Sequence, residues 1–263
     1  MSLMRRNVQY PIKLRQAEAV PQLQKHEQIW QEKPSLRAIY ASYFKRMFQY
    51  CSSGVTLEIG AGFGSLRDSG YEVVSSDIVY MPGIDIISDA HALPFASASF
   101  TNIVAVDVFH HLERPVRFLR EASRVLAPNG RLVMLEPGIT PVSSWFYRNF
   151  HREPVDMSVD MLTDGPLDDS RDPLAGNQAM GTVLATRFKE KLPLVVSGMH
   201  IREYQWLGSL AFPLSGGFRE WNFVPKPITR PVLAFEKLID SFLGRWLAFR
   251  ILLVLDRSEV CNR

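Results

Sequence analysis

Cysteine is scarce in this chain, with only Cys51 and Cys261 among 263 residues. That excludes a disulfide framework and a cysteine-rich zinc site, and it fits a reducing, cytoplasmic setting. Long apolar runs are missing too. No stretch approaches the roughly 18 uncharged apolar residues of a membrane span. The nearest, Trp246 to Leu255, is short and is broken by Arg250. The amino terminus lacks the apolar core of a signal peptide. Neither sign of charge dominates: 30 basic residues against 27 acidic give +3, too little to argue for a nucleic-acid partner. Internal repeats and low-complexity tracts are absent. With 46% hydrophobic and 22% charged residues, the composition is that of an ordinary globular protein.

The chain divides by pattern. Residues 1–32 are polar and carry Pro11 and Pro21, and they read as a loosely docked arm. From Ser35 on, Leu36, Ile39, Tyr40, Tyr43, Phe44 and Met47 recur at helical spacing. Residues 1–50 hold nine basic and three acidic side chains, which reads either as a solvated face or as a landing strip for an anionic substrate or membrane surface. Over 33–138, strand candidates alternate with crossover segments: Val55–Ile59, Tyr71–Ser76, Ile84–Ile87, Asn102–Val106 and Arg131–Leu135. Such alternation predicts an α/β fold with a parallel sheet covered on both faces. Acidic residues stand at the tips of these strands: Asp77, Asp89, Asp107 and Glu136. In an open parallel sheet the ligand lies beyond those tips.

Thr56-Leu57-Glu58-Ile59-Gly60-Ala61-Gly62-Phe63-Gly64 is a strand entering a glycine-rich turn. Glycine lets the backbone bend sharply and lets a ligand come close. Glu58, two residues before the first glycine, can hold a cationic group; a pyrophosphate cofactor would gain nothing from it. The spacing is Gly-x-Gly-x-Gly, whereas dinucleotide folds use Gly-x-Gly-x-x-Gly.

This run resembles motif I of class I S-adenosylmethionine-dependent methyltransferases, in the small-molecule branch typified by quinone-biosynthesis enzymes. Ser88-Asp89-Ala90, Asn102 to Leu112, and Glu121 to Leu132 resemble later motifs of the same family. The resemblance implies a Rossmann-like doubly wound sheet of order 3-2-1-4-5-7-6, mostly parallel with an antiparallel final strand. It also implies a helical extension at the amino terminus and a lid insertion after the fifth strand. The cofactor implied is S-adenosylmethionine. It would be held by Glu58, Gly60, Ala61, Gly62, Gly64, Ile78 and Ala90, by Asp77 at the ribose, by Asp89 at the adenine, and by Asp107 near the methionine portion. Only twelve residues separate Gly64 from Asp77, so the first crossover helix has room for about two turns. The Ser35–Tyr50 helix is expected to cover the gap.

His110 and His111 follow the fourth strand, where acceptor and donor meet, and histidine is the natural base near neutral pH. Packing against the top of the sheet is the bland alternative. Beyond Gly138 the resemblance fades. Residues 139–199 read as a lid, with an acidic loop over 152–172 and a helix over Gln178–Lys191. Residues 200–263 read as strands His200–Leu207 and Ala248–Leu255, with a loop at Pro213–Pro231 and an amphipathic helix at Val232–Leu243 between them, completing the sheet. Candidate acceptor contacts are Glu136, Trp145, His151, Glu153, Asn177 and Gln178. No metal is expected, because aspartates spaced through a glycine- and proline-containing loop are ordinarily a solvated face. The acceptor reads as a small molecule, or as one linked to a sugar or a lipid, methylated at oxygen or carbon. A peripheral membrane contact through the amphipathic helix stays open. Two other classes share the same sheet: a nicotinamide-dependent oxidoreductase and a non-catalytic donor-binding module.

Overall fold

The strand candidates pair into one sheet whose two faces are both buried. The computed structural model describes residues 16–168, 171–172 and 174–258. In chain order the elements are α1 (Gln16–Glu32), α2 (Pro34–Phe48), β1 (Thr56–Ile59), α3 (Ser65–Asp68), β2 (Val74–Asp77), β3 (Ile86–Ile87) and β4 (Phe100–Val106). A single 3-10 turn (Phe109–His111) follows, then α4 (Pro115–Val125), β5 (Leu126–Pro137), α5 (Pro141–Phe150), α6 (Met180–Thr186) and α7 (Leu192–Val195). The chain ends in β6 (Met199–Leu207), α8 (Ala211–Ser215), α9 (Lys226–Leu247) and β7 (Arg250–Arg257).

The sheet order is β3-β2-β1-β4-β5-β7-β6, as the resemblance implied. β1 through β5 run parallel, and β7 is antiparallel to both β5 and β6. Strand residues alternate between two cores, as the pleat requires. Ile103, Ala105, Leu132, Met134, Ile251 and Leu253 face one side, packed with α4 and α6. Val104, Val133, Leu135, Leu252 and Val254 face the other, packed with α2. Strand order reverses between β1 and β4, so the carboxyl ends of those strands border the crevice.

Several elements differ from the expectations. The described part of the supposed arm, residues 16–32, is a helix. Its apolar positions Ala19, Leu23, Ile29 and Trp30 are sparse among Gln and Glu, which disguised the stripe, yet Trp30 is fully buried and donates to Asp68 Oδ2 at 2.6 Å. The first crossover helix, α3, has one turn rather than two. Its share of the sheet is covered by α2, whose Leu36, Ile39, Phe44 and Met47 pack with Leu66. The helix expected over Gln178–Lys191 stops at Thr186, and α7 starts anew at Leu192 with Pro193 in its first turn. Proline lacks the N–H that a continuing helix would need. The loop expected over Pro213–Pro231 contains the end of α8 and the first turns of α9, because Pro227 is tolerated where helix N–H groups have no partner.

Lys33, between α1 and α2, is buried and donates to the carbonyls of Ser215, Gly217 and Trp221 at 2.9–3.0 Å, and to that of Arg219. That ring of carbonyls ties the amino-terminal helices to the loop carrying Phe218. Phe218 in turn stacks on His26 and contacts Phe63 of the glycine turn.

Candidate active site

The glycine turn leaves β1 with Gly60, Gly62 and Gly64 all at positive φ. Gly60 has a second reason to be glycine: a Cβ there would lie 2.2 Å from Val108 in the turn after β4. The two loops bordering the crevice therefore touch, and Ala61 is buried, its N–H donating to Ser76 O of β2 at 3.1 Å. Asp77, at the end of β2, accepts from Gly62 N at 2.7 Å and from Val79 N at 2.8 Å. Its carboxylate thus sets the shape of the turn. Burial pushes Asp77 upward while the backbone N–H groups of Val79, Gly62 and Ile78 pull it back, and burial prevails. The Ile78 side chain itself is exposed.

Glu58 is the most unusual group here. It is only 3% exposed, and its Oε2 has no hydrogen-bond partner. Burial first, and then the charge of Asp77, push it up to about 8. A buried acid without a partner is a site waiting for a cation or a donor. Further along the rim, Asp89 accepts from His91 N and Nδ1 at 2.8 and 2.7 Å. Burial works against its charge, but His91 outweighs burial and holds Asp89 below the usual range. Ser88 Oγ beside it is buried without a partner, and Ala90 packs into the core beneath.

Asp107 closes β4 in the left-handed region, at φ 57°. Its Oδ1 lies 2.6 Å from the Arg250 guanidinium, and its Oδ2 accepts from Tyr40 at 3.2 Å. Arg250 is buried at the start of β7 and lies over the Phe212 ring, at 5.1 Å. Burial and the Asp107 charge raise the Tyr40 hydroxyl well above its usual range. Arg250 was legible only as the lone charge in an apolar run.

The next turn carries the two histidines. His110 is buried, and its Nδ1 lies 2.6 Å from Glu136 Oε2. Glu136 was expected to line the acceptor side. It is instead completely buried under the turn, accepting from Val108 N, Phe109 N and His110 N at 2.8–3.3 Å. It thereby supports the histidine from below. On the far side of the ring, Nε2 lies 3.5 Å from Glu153 Oε2, which also accepts from Gln178. Burial pushes His110 down, but the charge and hydrogen bond of Glu136 push it up and win. His111, its ring 4.0 Å from that of His110, goes the other way. Burial first, and then the charge of His110, lower it to about 3, and its Nδ1 has no partner. His110, His111 and Glu153 bring ligand-type atoms within 4.8 Å of one another, the donor set a divalent cation could use.

Gly176 closes this cluster. A Cβ there would stand 2.6 Å from Glu153 Oε2 and 2.9 Å from His111 Nδ1. Its place just before Asn177 and Gln178 was the only signal in the sequence. The residues expected in a lid are thus brought in unequally. Gln178 and Glu153 join the histidines. Asn177 donates its N–H to His110 O at 2.8 Å, but its side chain is consumed by Asp156, through which it braces the acidic loop. His151 is exposed, with its Nδ1 accepting from Glu153 N at 3.3 Å. Trp145 is 62% exposed on the outer side of α5, against Phe150, and is not gathered into the cluster. An aromatic run in an amphipathic helix always leaves some rings outward, and the sequence could not say which. The acidic loop is a solvated face, with Asp164 paired to Arg117 and Arg120.

Residues 57–134 match the family described as "Methyltransferase domain". No curated protein sequence matches the chain. Among solved structures, a chain of the complex between the Haloferax volcanii Trm112 methyltransferase activator and a methyltransferase is similar in fold. It has a TM-score of 0.55 at 14% identity, covering 95% of this chain and 100% of that one. A Thermotoga maritima SAM-dependent methyltransferase, described as a possible histamine N-methyltransferase, has a TM-score of 0.53 at 13% identity, covering 94% and 100%. The crevice fits the donor those families use. Its buried, unpartnered Glu58 suits a cationic ligand, and its turn glycines expose backbone beside Asp77. The matched domain sets the nicotinamide reading aside: residues 57–134 form a methyltransferase domain, set in a seven-stranded sheet with the order and fold of the class I S-adenosylmethionine-dependent methyltransferases.

Proposed function

We propose that the protein methylates an oxygen or an acidic carbon of a small acceptor, free or linked to a sugar or lipid, with His110 as the base. When bound, S-adenosylmethionine supplies a methyl group already activated on a sulfonium. The protein's own task is to hold the nucleophile in line, at roughly 3–3.5 Å from that methyl, and to receive the acceptor's proton. Glu58, Gly60, Ala61, Gly62 and Gly64, with Asp77, Ile78, Asp89, Ala90 and Asp107, form the donor side. His111, Glu153 and Gln178 border the acceptor side.

One observation carries the reading: the buried His110 ring, fixed at Nδ1 by Glu136 and open at Nε2 toward Glu153. With Nδ1–H donating to Glu136, the Nε2 lone pair is free to take a proton. The resulting imidazolium lies between two carboxylates, which stabilise it. A neutral amine acceptor would need no such base. His110 Nε2 would take the acceptor's proton as the bound donor supplied its methyl group, with S-adenosylhomocysteine as the remaining product.

The test begins with labelled donor and a metabolite extract, searching for products heavier by about fourteen mass units. With the acceptor identified, His110→Gln is expected to lower kcat by about 10²–10⁴ with little change in donor affinity. The wild-type rate should rise with pH through an inflection above the ordinary histidine value. Wild-type kcat in His110→Gln, or a flat pH profile, would contradict the base assignment.

A further inference from the structure

We propose that α9 docks the protein on an anionic lipid bilayer surface. This helix is built inside out. At 22 residues it is the longest of the described helices, about 33 Å. Its outward stripe is apolar, running through Ile228, Phe235, Leu238, Phe242 and Trp246 at helical spacing. Phe242 is 74% exposed, and Phe235 and Leu238 are nearly 60% exposed. Its inward face holds the helix's two acids. Glu236 is buried and accepts from Leu210 N and Ala211 N. Asp240 accepts from Gly208 N, and from Ser209 N and Oγ. Polar capping of the loop before α8, with Val232 and Leu233 packed on the core, attaches the helix, and its larger apolar side chains are left outward.

The charge pattern selects the occupant. Lys226, Arg230, Lys237 and Arg245 are all exposed on α9, beside the apolar stripe. The neighbouring helices α2, α5 and α8 contain no acidic residue at all, while α2 adds Arg37, Lys45 and Arg46. A second copy of this chain would set the same basic flank against itself. The chain's own first fifteen residues carry Arg5, Arg6, Lys13 and Arg15 and no acid, so they offer no complement either. An apolar stripe with a cationic flank is the pattern of a helix lying in the headgroup layer. No helix among the described residues is long and apolar enough to cross a membrane, so α9 lies on the surface. α5, packed beside α9, exposes Val142 and Trp145. This assignment is independent of the base and the acceptor.

The test is co-sedimentation of the full chain with vesicles of phosphatidylglycerol and phosphatidylcholine, against phosphatidylcholine alone, with tryptophan emission followed in parallel. Binding is expected only with the anionic lipid, weakening as salt is raised. Phe242→Ser with Trp246→Ser should reduce partitioning at least tenfold at unchanged thermal stability. Lys237→Glu should reduce it by about fivefold or more. The proposal fails if neither vesicle binds the protein or if binding is indifferent to the α9 substitutions. It fails also if the wild type is a dimer that Phe242→Ser converts to a monomer, since a second copy would then own the stripe.

Discussion

Glu58→Gln isolates the one buried carboxylate among the described residues that has an oxygen without a hydrogen-bond partner. Glu58 is buried near the end of β1, its Oε2 is unbonded, and burial with the nearby charge of Asp77 raises it to about 8. A cationic donor favours the carboxylate form, so binding below that value must expel a proton. Ionising the acid one unit below its pKa costs about 1.4 kcal/mol, a factor of about ten in affinity, and each further unit costs the same again. The dissociation constant should therefore fall about tenfold per unit between about pH 6 and pH 8 and then level off. Calorimetry in two buffers of different ionisation enthalpy counts the proton directly, nearly one per donor bound at about pH 6.5. The donor's own amino group titrates near 8 as well, so the readout is the difference between wild type and Glu58→Gln. The glutamine variant should lose the extra pH slope and the extra proton, and should bind the donor more weakly above about pH 8. Identical slopes in the two proteins would refute the assignment of Glu58 to the donor's cationic end.

Other outcomes follow from the histidine cluster. Gly176→Ala drives a methyl to within 2.6 Å of Glu153 Oε2 and 2.9 Å of His111 Nδ1. Turnover should fall while donor affinity, measured by calorimetry, stays at the wild-type value. His111 is held near 3 when folded but titrates near 6.5 when unfolded. The unfolded chain therefore binds the extra proton between those values, and stability falls as pH drops through that window. The slope approaches about 1.4 kcal/mol per pH unit. Urea midpoints against pH should show this loss in the wild type, and His111→Asn should flatten it.

Much of the fold was legible because a parallel sheet buried on both faces writes itself as short apolar runs. The acids at the strand tips stand out, since each interrupts such a run at its carboxyl end. Asp77, Asp107 and Glu136 all lie at such ends. What those acids touch was not legible. Glu136 sits beneath the turn, not beside the acceptor, because three backbone N–H groups converge there. Arg250 reaches Asp107 only through the antiparallel return of β7, a contact across more than a hundred residues of chain. The outward face of α9 was also hidden. Its periodicity shows an amphipathic helix, but which face meets the body is decided by Glu236 and Asp240 capping a distant loop.

Titration of S-adenosylmethionine into wild type and Asp77→Ala by calorimetry tests the donor slot most directly. One donor per chain is expected in the wild type. In the variant the affinity should be weaker by about tenfold or more, through loss of charge-assisted hydrogen bonds to the donor and of the Gly62 N–H contact that shapes the turn. Equal affinity in the two proteins would contradict the claim that the acids at the tips of β1 and β2 frame the donor.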